Sequence, residues 1–306
     1  MQNKSEVMPM TNREIVSYYA LHLELNYAAH SVRNYLSDIE QYLTHLGDKP
    51  FAEVDKNVIR RFLWERSATC GKSSLSRKVH VLRTFYRWLV NKKLLQRNPL
   101  NLIDNMKVQR PLPVYLSLDQ VLKLLESVNG KTLEDLRDRA ALEMFYSTGI
   151  RCAELVRLDW KDIDWRAGFI RVLGKGSKER IIPIGETALK TLWRYAEAYR
   201  MKIKIEPQGT APVFVPLIGL GALKTHLTTR SVQRLFSKRL AAANIRLNAG
   251  PHALRHTMAT HMLRAGAGIL QIAEMLGHSC VSTTQRYTHI DLHTMRSAYQ
   301  AAHPRA

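Results

Sequence analysis

From residue 11 onward, apolar positions return every three or four residues, the spacing of one face of a helix. Thr11-Asn-Arg-Glu14 reads as a capping box, in which a hydroxyl and a carboxylate exchange hydrogen bonds with the first-turn amides. Ile15, Tyr18, Tyr19, Leu23 and Leu25 follow it, so a helix is expected over 11–27. Further helices are expected over 31–46, ending near Gly47, and over 55–67 and 73–92. The last has the clearest stripe: Leu75, Val79, Leu82, Phe85, Tyr86 and Leu89 share one side. Arg77, Arg83 and Arg87 lie away from that stripe.

The four helices end at Asn98-Pro99. A proline fixes its own backbone torsion and donates no amide hydrogen, so VQRPLPVY, residues 108–115, reads as an extended linker. Ser117-Leu-Asp-Gln then caps a helix to about 127. Another helix covers about 132–147 and stops at Gly149, and a short one begins around Arg151. Between Ile163 and Ile184 the pattern changes. FIRVL and RIIPI are β-rich runs, and Gly174-Lys-Gly-Ser177 between them has the composition of a hairpin turn. Helices return from about 186, and no long internal repeat is present. The expected fold is mainly α with a small antiparallel β-sheet: a helical N-terminal domain over 1–107, the linker over 108–115, and a mixed α/β domain over 116–306.

Charge adds a partner to this picture. The 306 residues carry 46 Lys and Arg against 26 Asp and Glu, a net charge of +20. The excess is not a tail: residues 1–110 hold 18 basic and 10 acidic side chains, leaving 28 and 16 beyond. Two basic halves point to a shared polyanion, nucleic acid ahead of membrane. On such a chain Arg77, Arg83 and Arg87 are candidate phosphate contacts, the alternative being a solvated helix face. No apolar run approaches the 18 residues of a membrane span, and the N-terminus lacks a signal-peptide apolar core. Cys70, Cys152 and Cys280 are odd in number and far apart, which suggests reduced thiols in a cytoplasmic protein.

Five short pieces carry candidate chemistry. In TGIRCAEL, Arg151 and Glu154 stand three apart and share a helix face; in isolation this is an ordinary ion pair. Lys175 sits between glycines at the hairpin turn, where it can reach a phosphate or merely be solvated. In HALRH, His252 and Arg255 share a face of a helix that begins at Pro251. His252 and His256 have the spacing of metal ligands, but no HExxH glutamate and no clear third ligand accompany them, so no metal is expected. Leu276-Gly277-His278 and Tyr287 close the set. Residues 269–287 also read as a helix-turn-helix, in which Tyr287 only touches a DNA backbone.

Taken together, two arginines, a lysine, two histidines and a tyrosine suit a phosphodiester. Arginine forks bind the non-bridging oxygens and stabilise the charge that builds in the transition state. A tyrosine hydroxyl can attack phosphorus, and a lysine or histidine can protonate the departing sugar oxygen. Fixed cations take a metal's electrostatic role and a phosphotyrosine keeps the bond energy for rejoining, so no cofactor is expected.

TGIRCAEL, GKGSKER with IPI, HALRHTMATHML, LGHSCVSTTQRYTHI and the ending AAHPRA, in this order and spacing, resemble the tyrosine recombinase (phage integrase) family, and within it the Xer-type resolvases. The likeness covers nearly the whole chain. It implies that Arg151 and Arg255 clamp the scissile phosphate, while His252 and His278 hydrogen-bond it or shuttle protons. Lys175 would be the general acid toward the 5′ oxygen and Tyr287 would form a 3′-phosphotyrosine. Glu154 would orient the arginine or lysine. It further implies that 1–107 binds a recombination core site on double-stranded DNA, that 116–306 is catalytic, and that a helix over 291–302 (Leu292, Met295, Tyr299, Ala302) docks into a neighbouring protomer of a tetramer on two sites. A second recombinase or a DNA translocase is a possible partner. The role expected is dimer resolution in chromosome segregation, or integration or resolution of a mobile element. The stretch 215–228 looks longer than the usual Xer connection, and no role is assigned to it. No additional arm-binding domain of the lambda type is expected. The rival expectations are a non-catalytic helix-turn-helix regulator and, with the same chemistry, a type IB topoisomerase or telomere resolvase.

Overall fold

The computed structural model describes residues 10–103, 114–128, 130–174, 179–204, 206, 208–217, 225–247, 250–277 and 292–306. They fall into two compact units divided between Pro111 and Leu112.

Among the described residues the first unit has four α-helices: α1 (Asn12–Asn26), α2 (Ala29–Leu46), α3 (Lys56–Ser67) and α4 (Lys72–Asn91). The Thr11–Glu14 capping box opens α1 as its sequence predicts. On α4 the whole expected stripe is buried, from Leu75 to Leu89. It meets Tyr19, Tyr42 and Phe62 from the other three helices, with Tyr19 edge-on to Phe85 at 4.9 Å. On α1 the inner row differs from the expected one. Val16, Tyr19 and Leu23 face inward, whereas Tyr18 and Leu25 are exposed. Apolar residues occupy several sides of α1, so periodicity alone does not select its buried face.

The three arginines of α4 have different surroundings. Arg77 pairs with the buried carboxylate of Asp38 on α2, which Lys78 also holds at 2.7 Å. Arg83 donates to the Ile103 carbonyl at 2.8 Å. Arg87 is exposed. Thus Arg77 and Arg83 both brace the unit, a job the sequence pattern does not reveal.

The second unit is built around α6 (Leu133–Thr148), which is buried over most of its circumference. It packs against α8 (Glu186–Ile203) and α10 (His252–Arg264), with α5 (Leu118–Glu126), α7 (Cys152–Leu155), α9 (Thr229–Ala242), α11 (Ile269–Leu276) and α12 (Leu292–Ala302) around them. A helix buried on so many sides must pair its charges. Asp138 takes the guanidinium groups of Arg137 and Arg239, and Glu143 takes those of Arg139 and Arg305. The sheet has three antiparallel strands in the order β1 (Ile163–Asp164), β2 (Phe169–Leu173) and β3 (Glu179–Pro183). In its register Leu173 faces Glu179 and Val172 faces Arg180, so FIRVL and RIIPI pair as expected; positions 175–178, where the turn is expected, lie outside the described residues.

The helix expected over 291–302 is present as α12 and packs on its own unit. The Tyr299 hydroxyl meets Ser147 Oγ at 2.7 Å, His303 Nε2 lies 3.1 Å from the Tyr146 carbonyl, and Arg305 grips Glu143 with two nitrogens. Of the 215–228 stretch, the ends are described. Val215 and Leu227 are buried, and the Leu227 amide donates to the Phe214 carbonyl at 2.9 Å. Among the described residues no helix is long and apolar enough to cross a membrane.

Candidate active site

α6 ends at Gly149, whose φ of +59° is the left-handed conformation that closes a helix. A Cβ there would meet the side chains of Met258 and Leu276. This close approach brings α10 and α11 onto the end of α6, and the next turn carries the first candidate residues. Arg151 is the N-cap of α7. Glu154, three residues on, accepts the Arg151 amide at 2.8 Å and Arg151 Nη1 at 2.9 Å. The expected pair therefore forms, but as part of a larger group. Arg180 of β3 adds two hydrogen bonds to the same carboxylate, at 2.8 and 2.7 Å.

From the other side, α10 contributes His252 and Arg255. Arg255 is 6% exposed and bridges the ends of α6 and α11, donating to the Gly149 carbonyl at 2.6 Å and the Leu276 carbonyl at 2.5 Å. The C-terminal end of α11 ties the group together. Arg180 Nε donates to the Met275 carbonyl at 3.0 Å, Arg255 to that of Leu276, and Arg151 Nη2 to that of Gly277 at 3.2 Å. Three consecutive carbonyls thus take three different arginines. Carbonyls at a helix C-terminus carry its negative partial charge and lack amide partners further along, so cations gather there. Gly277, with φ +63°, turns the chain out of α11 at this cluster.

The electrostatics follow from crowding three guanidinium groups around one carboxylate. Burial alone would raise the Glu154 carboxyl, but hydrogen bonds from Arg180 and Arg151 overcome it and hold the group at about 2. Arg255 moves the other way. Burial, then repulsion from Arg151 and Arg180, lowers it from its usual value to about 10. His252 stands on the exposed side of α10. Partial burial of its ring, then Arg255, His256 and Arg151, push it below the ordinary histidine value, so the neutral imidazole is favoured. The site is charged in excess of its own anion.

The Glu154 shift has a measurable consequence. Its folded carboxyl titrates below the reference value of 4.5, so its contribution is complete above that pH and is lost as pH falls toward 2. The contribution is on the order of 3 kcal/mol. Glu154→Gln cannot titrate. The gap in urea midpoint between wild type and variant is expected to shrink as the pH is lowered from about 6 to about 2.5. A gap that stays constant over that range would show that the carboxylate is not held by these arginines.

Arg151, Glu154, His252 and Arg255 are thus brought together. Lys175, His278 and Tyr287 lie outside the described residues, as does the second half of the expected helix-turn-helix; its first half is α11. Arg77, Arg83 and Arg87 belong to the first unit. Among the described residues no group of three His, Cys, Asp or Glu side chains could hold a metal ion. Sequence reasoning missed Arg180. It stood inside a run read only as β-rich, and a basic residue two positions beyond GKGSK was the available signal.

Comparison with known proteins fits this arrangement. Residues 115–293 match the Phage integrase family, and residues 15–93 match the Phage integrase, N-terminal SAM-like domain. A protein named Tyrosine recombinase XerC from Pelobacter propionicus is 37% identical over 300 residues, covering 96% of each chain. The chain belongs to the phage integrase family of tyrosine recombinases. A Tyrosine recombinase XerD from Staphylococcus epidermidis is 33% identical over 291 residues, covering 94% of this chain and 96% of the relative. The fold is shared with a lambda integrase tetramer bound to a Holliday junction, at a TM-score of 0.71 and 18% identity over 92% of this chain and 80% of that one. The recombinase is therefore of Xer type, an enzyme of site-specific DNA recombination.

Proposed function

We propose that this recombinase cuts and rejoins duplex DNA through a 3′-phosphotyrosine on Tyr287. The observation that carries the reading is the cluster of Arg151, Arg180 and Arg255 at the end of α11, one residue before His278. A scissile phosphate supplies the anion that this cluster lacks. Arg151 and Arg255 clamp its non-bridging oxygens; each Nη that holds a carbonyl in the free protein has a second N–H to offer. Their charge counters the negative charge that grows at phosphorus. His252, favoured as a neutral imidazole, exchanges a proton or hydrogen bond with the phosphate, and His278 joins it. Lys175 protonates the 5′ oxygen as the P–O bond breaks, while the Tyr287 oxygen forms the new bond and gives up its proton to the neutral imidazole of the histidine pair. Glu154 holds Arg151 in place. Rejoining reverses these steps, with a 5′ hydroxyl attacking the phosphotyrosine.

The DNA-bound lambda integrase named above shares the fold, and the basic charge of both units suits a phosphate backbone. The region 1–107 binds the core site, with α4 and Arg87 facing phosphate; the enzyme works in the cytoplasm. The covalent step is tested with nicked duplexes tiled from the host replicon, run on denaturing gels. A protein–DNA band that survives denaturant is expected. Tight native binding with no such band on any duplex would favour the regulator.

Assembly into a tetramer on two sites would use α12. In the free chain its socket is filled by its own Tyr299, His303 and Arg305. A cyclic exchange, each protomer's helix filling the next one's socket, keeps those contacts and adds a link between subunits. Deleting 291–306 is expected to lower synapsis and cleavage coordination more than DNA binding, read on native gels with one-site and two-site DNA. Normal recombination by the truncated chain would end the exchange idea.

A further inference from the structure

We infer that Arg180 is the positioning residue of the active site, the side chain that fixes Glu154, and through it Arg151, to the end of α11 where the nucleophile-bearing segment begins. This rests on the recombinase reading of the site above. Three observations converge on it. First, Arg180 uses its whole fork: Nη1 and Nη2 hold the two oxygens of Glu154, and Nε holds the Met275 carbonyl. No other described side chain joins β3, α7 and α11 in this way. Second, the side chain is 12% exposed, so it lies within the packed site and not over it. Third, Gly277 is shaped around it. A Cβ at Gly277 would stand 3.0 Å from Arg180 Cδ and 3.2 Å from Nε, so the turn leaves room for the arginine stem.

The consequence is geometric. Glu154 and Arg151 sit on α7, and β3 follows Lys175 by four residues in sequence. His278 and Tyr287 follow α11. Arg180 is where these three pieces are bolted together. A planar fork with three N–H directions in use has no lysine equivalent, because an ammonium is a point charge that can satisfy one of the two elements at a time. Charge alone is therefore not what the site needs from residue 180.

The test compares wild type, Arg180→Lys, Arg180→Ala, Glu154→Gln and the Arg180→Ala/Glu154→Gln double variant, on the nicked duplex to which wild type attaches. Single-turnover attachment at saturating protein is expected to fall about 100-fold for both Arg180 variants, the scale of a small misplacement of reacting groups. Native DNA affinity should stay within a few-fold. Millimolar guanidinium should restore part of the Arg180→Ala rate and leave wild type unchanged, which loss of folding would not permit. The double variant should be no slower than the slower single one, since both act along one path. Attachment at the wild-type rate by Arg180→Lys, or a fully multiplicative loss in the double variant, overturns the inference.

A second readout needs no cleavage. The part of the acid limb of thermal stability that Glu154 contributes, read as the difference from the matching Glu154→Gln protein, should move to higher pH in Arg180→Ala, while the part set by other carboxylates such as Asp135 remains in every variant. An unmoved limb overturns the inference by itself. If wild type attaches to no duplex while the limb moves, the recombinase reading of the site has failed and the link from Arg180 to Glu154 stands.

Discussion

Tyr287→Phe is expected to remove covalent attachment to DNA altogether while leaving native DNA affinity within about two-fold, since one hydroxyl contributes little to phosphate binding spread over two basic units. The change deletes one oxygen atom and keeps the ring. If that oxygen forms the bond to phosphorus, nothing else in the side chain can replace it, and turnover should fall by at least ~10⁴-fold, the scale of removing a nucleophile. Denaturing gels with a nicked duplex and filter binding with the intact one measure the two quantities separately. The comparison also ranks the alternatives. A non-catalytic regulator built around α11 tolerates Tyr287→Phe in every assay and never gives a denaturant-resistant band. A topoisomerase-like enzyme gives the band and loses it in the variant, but wild type then relaxes supercoils without exchanging strands between two sites. An adduct that persists in Tyr287→Phe would move the nucleophile elsewhere and with it the proposed mechanism.

Much of this molecule was legible before any coordinates. The stripe on α4, the capped starts of α1 and α5, the stop at Gly149 and the antiparallel pair of β2 and β3 each depend on near neighbours in sequence, and each is where its residue pattern predicts. Features that depend on distant contacts were not legible. The inner row of α1 is chosen by what α4 presents to it, so Tyr18 and Leu25 came out exposed although their spacing fits a buried face. Arg77 looked like a free cation until Asp38, 39 positions away, proved to hold it. Arg180 could not be singled out, because its role depends on β3 passing both Glu154 and the end of α11. The pairing of Arg151 with Glu154 was legible as an i,i+3 pair, but its value was not. An exposed pair of that kind is weak, whereas here the carboxylate is buried and shared with a second arginine.

Arg255→Lys is expected to slow attachment by about 10²–10³-fold, the range for losing one donor to a developing oxyanion, with DNA affinity reduced no more than several-fold. Arg255 is buried, faces the like charges of Arg151 and Arg180, and is pressed down to about 10. A guanidinium remains charged at neutral pH despite that push. A lysine begins about two units lower, near 10.4, and the same burial and the same two neighbours carry it toward neutrality. It also reaches only one of the two carbonyls, Gly149 or Leu276, that the arginine spans. The variant therefore loses both the fork and part of the charge where negative charge grows most. If the scissile phosphate is the anion that relieves this cation, as proposed, the gain is largest when the phosphate carries most charge, in the transition state. A rate that falls with affinity unchanged, and that falls further as pH rises toward 9, is the signature of that difference. Equal losses in binding and attachment, with no added pH dependence, would mean that Arg255 grips the DNA equally before and during the reaction and that the differential stabilisation lies with Arg151.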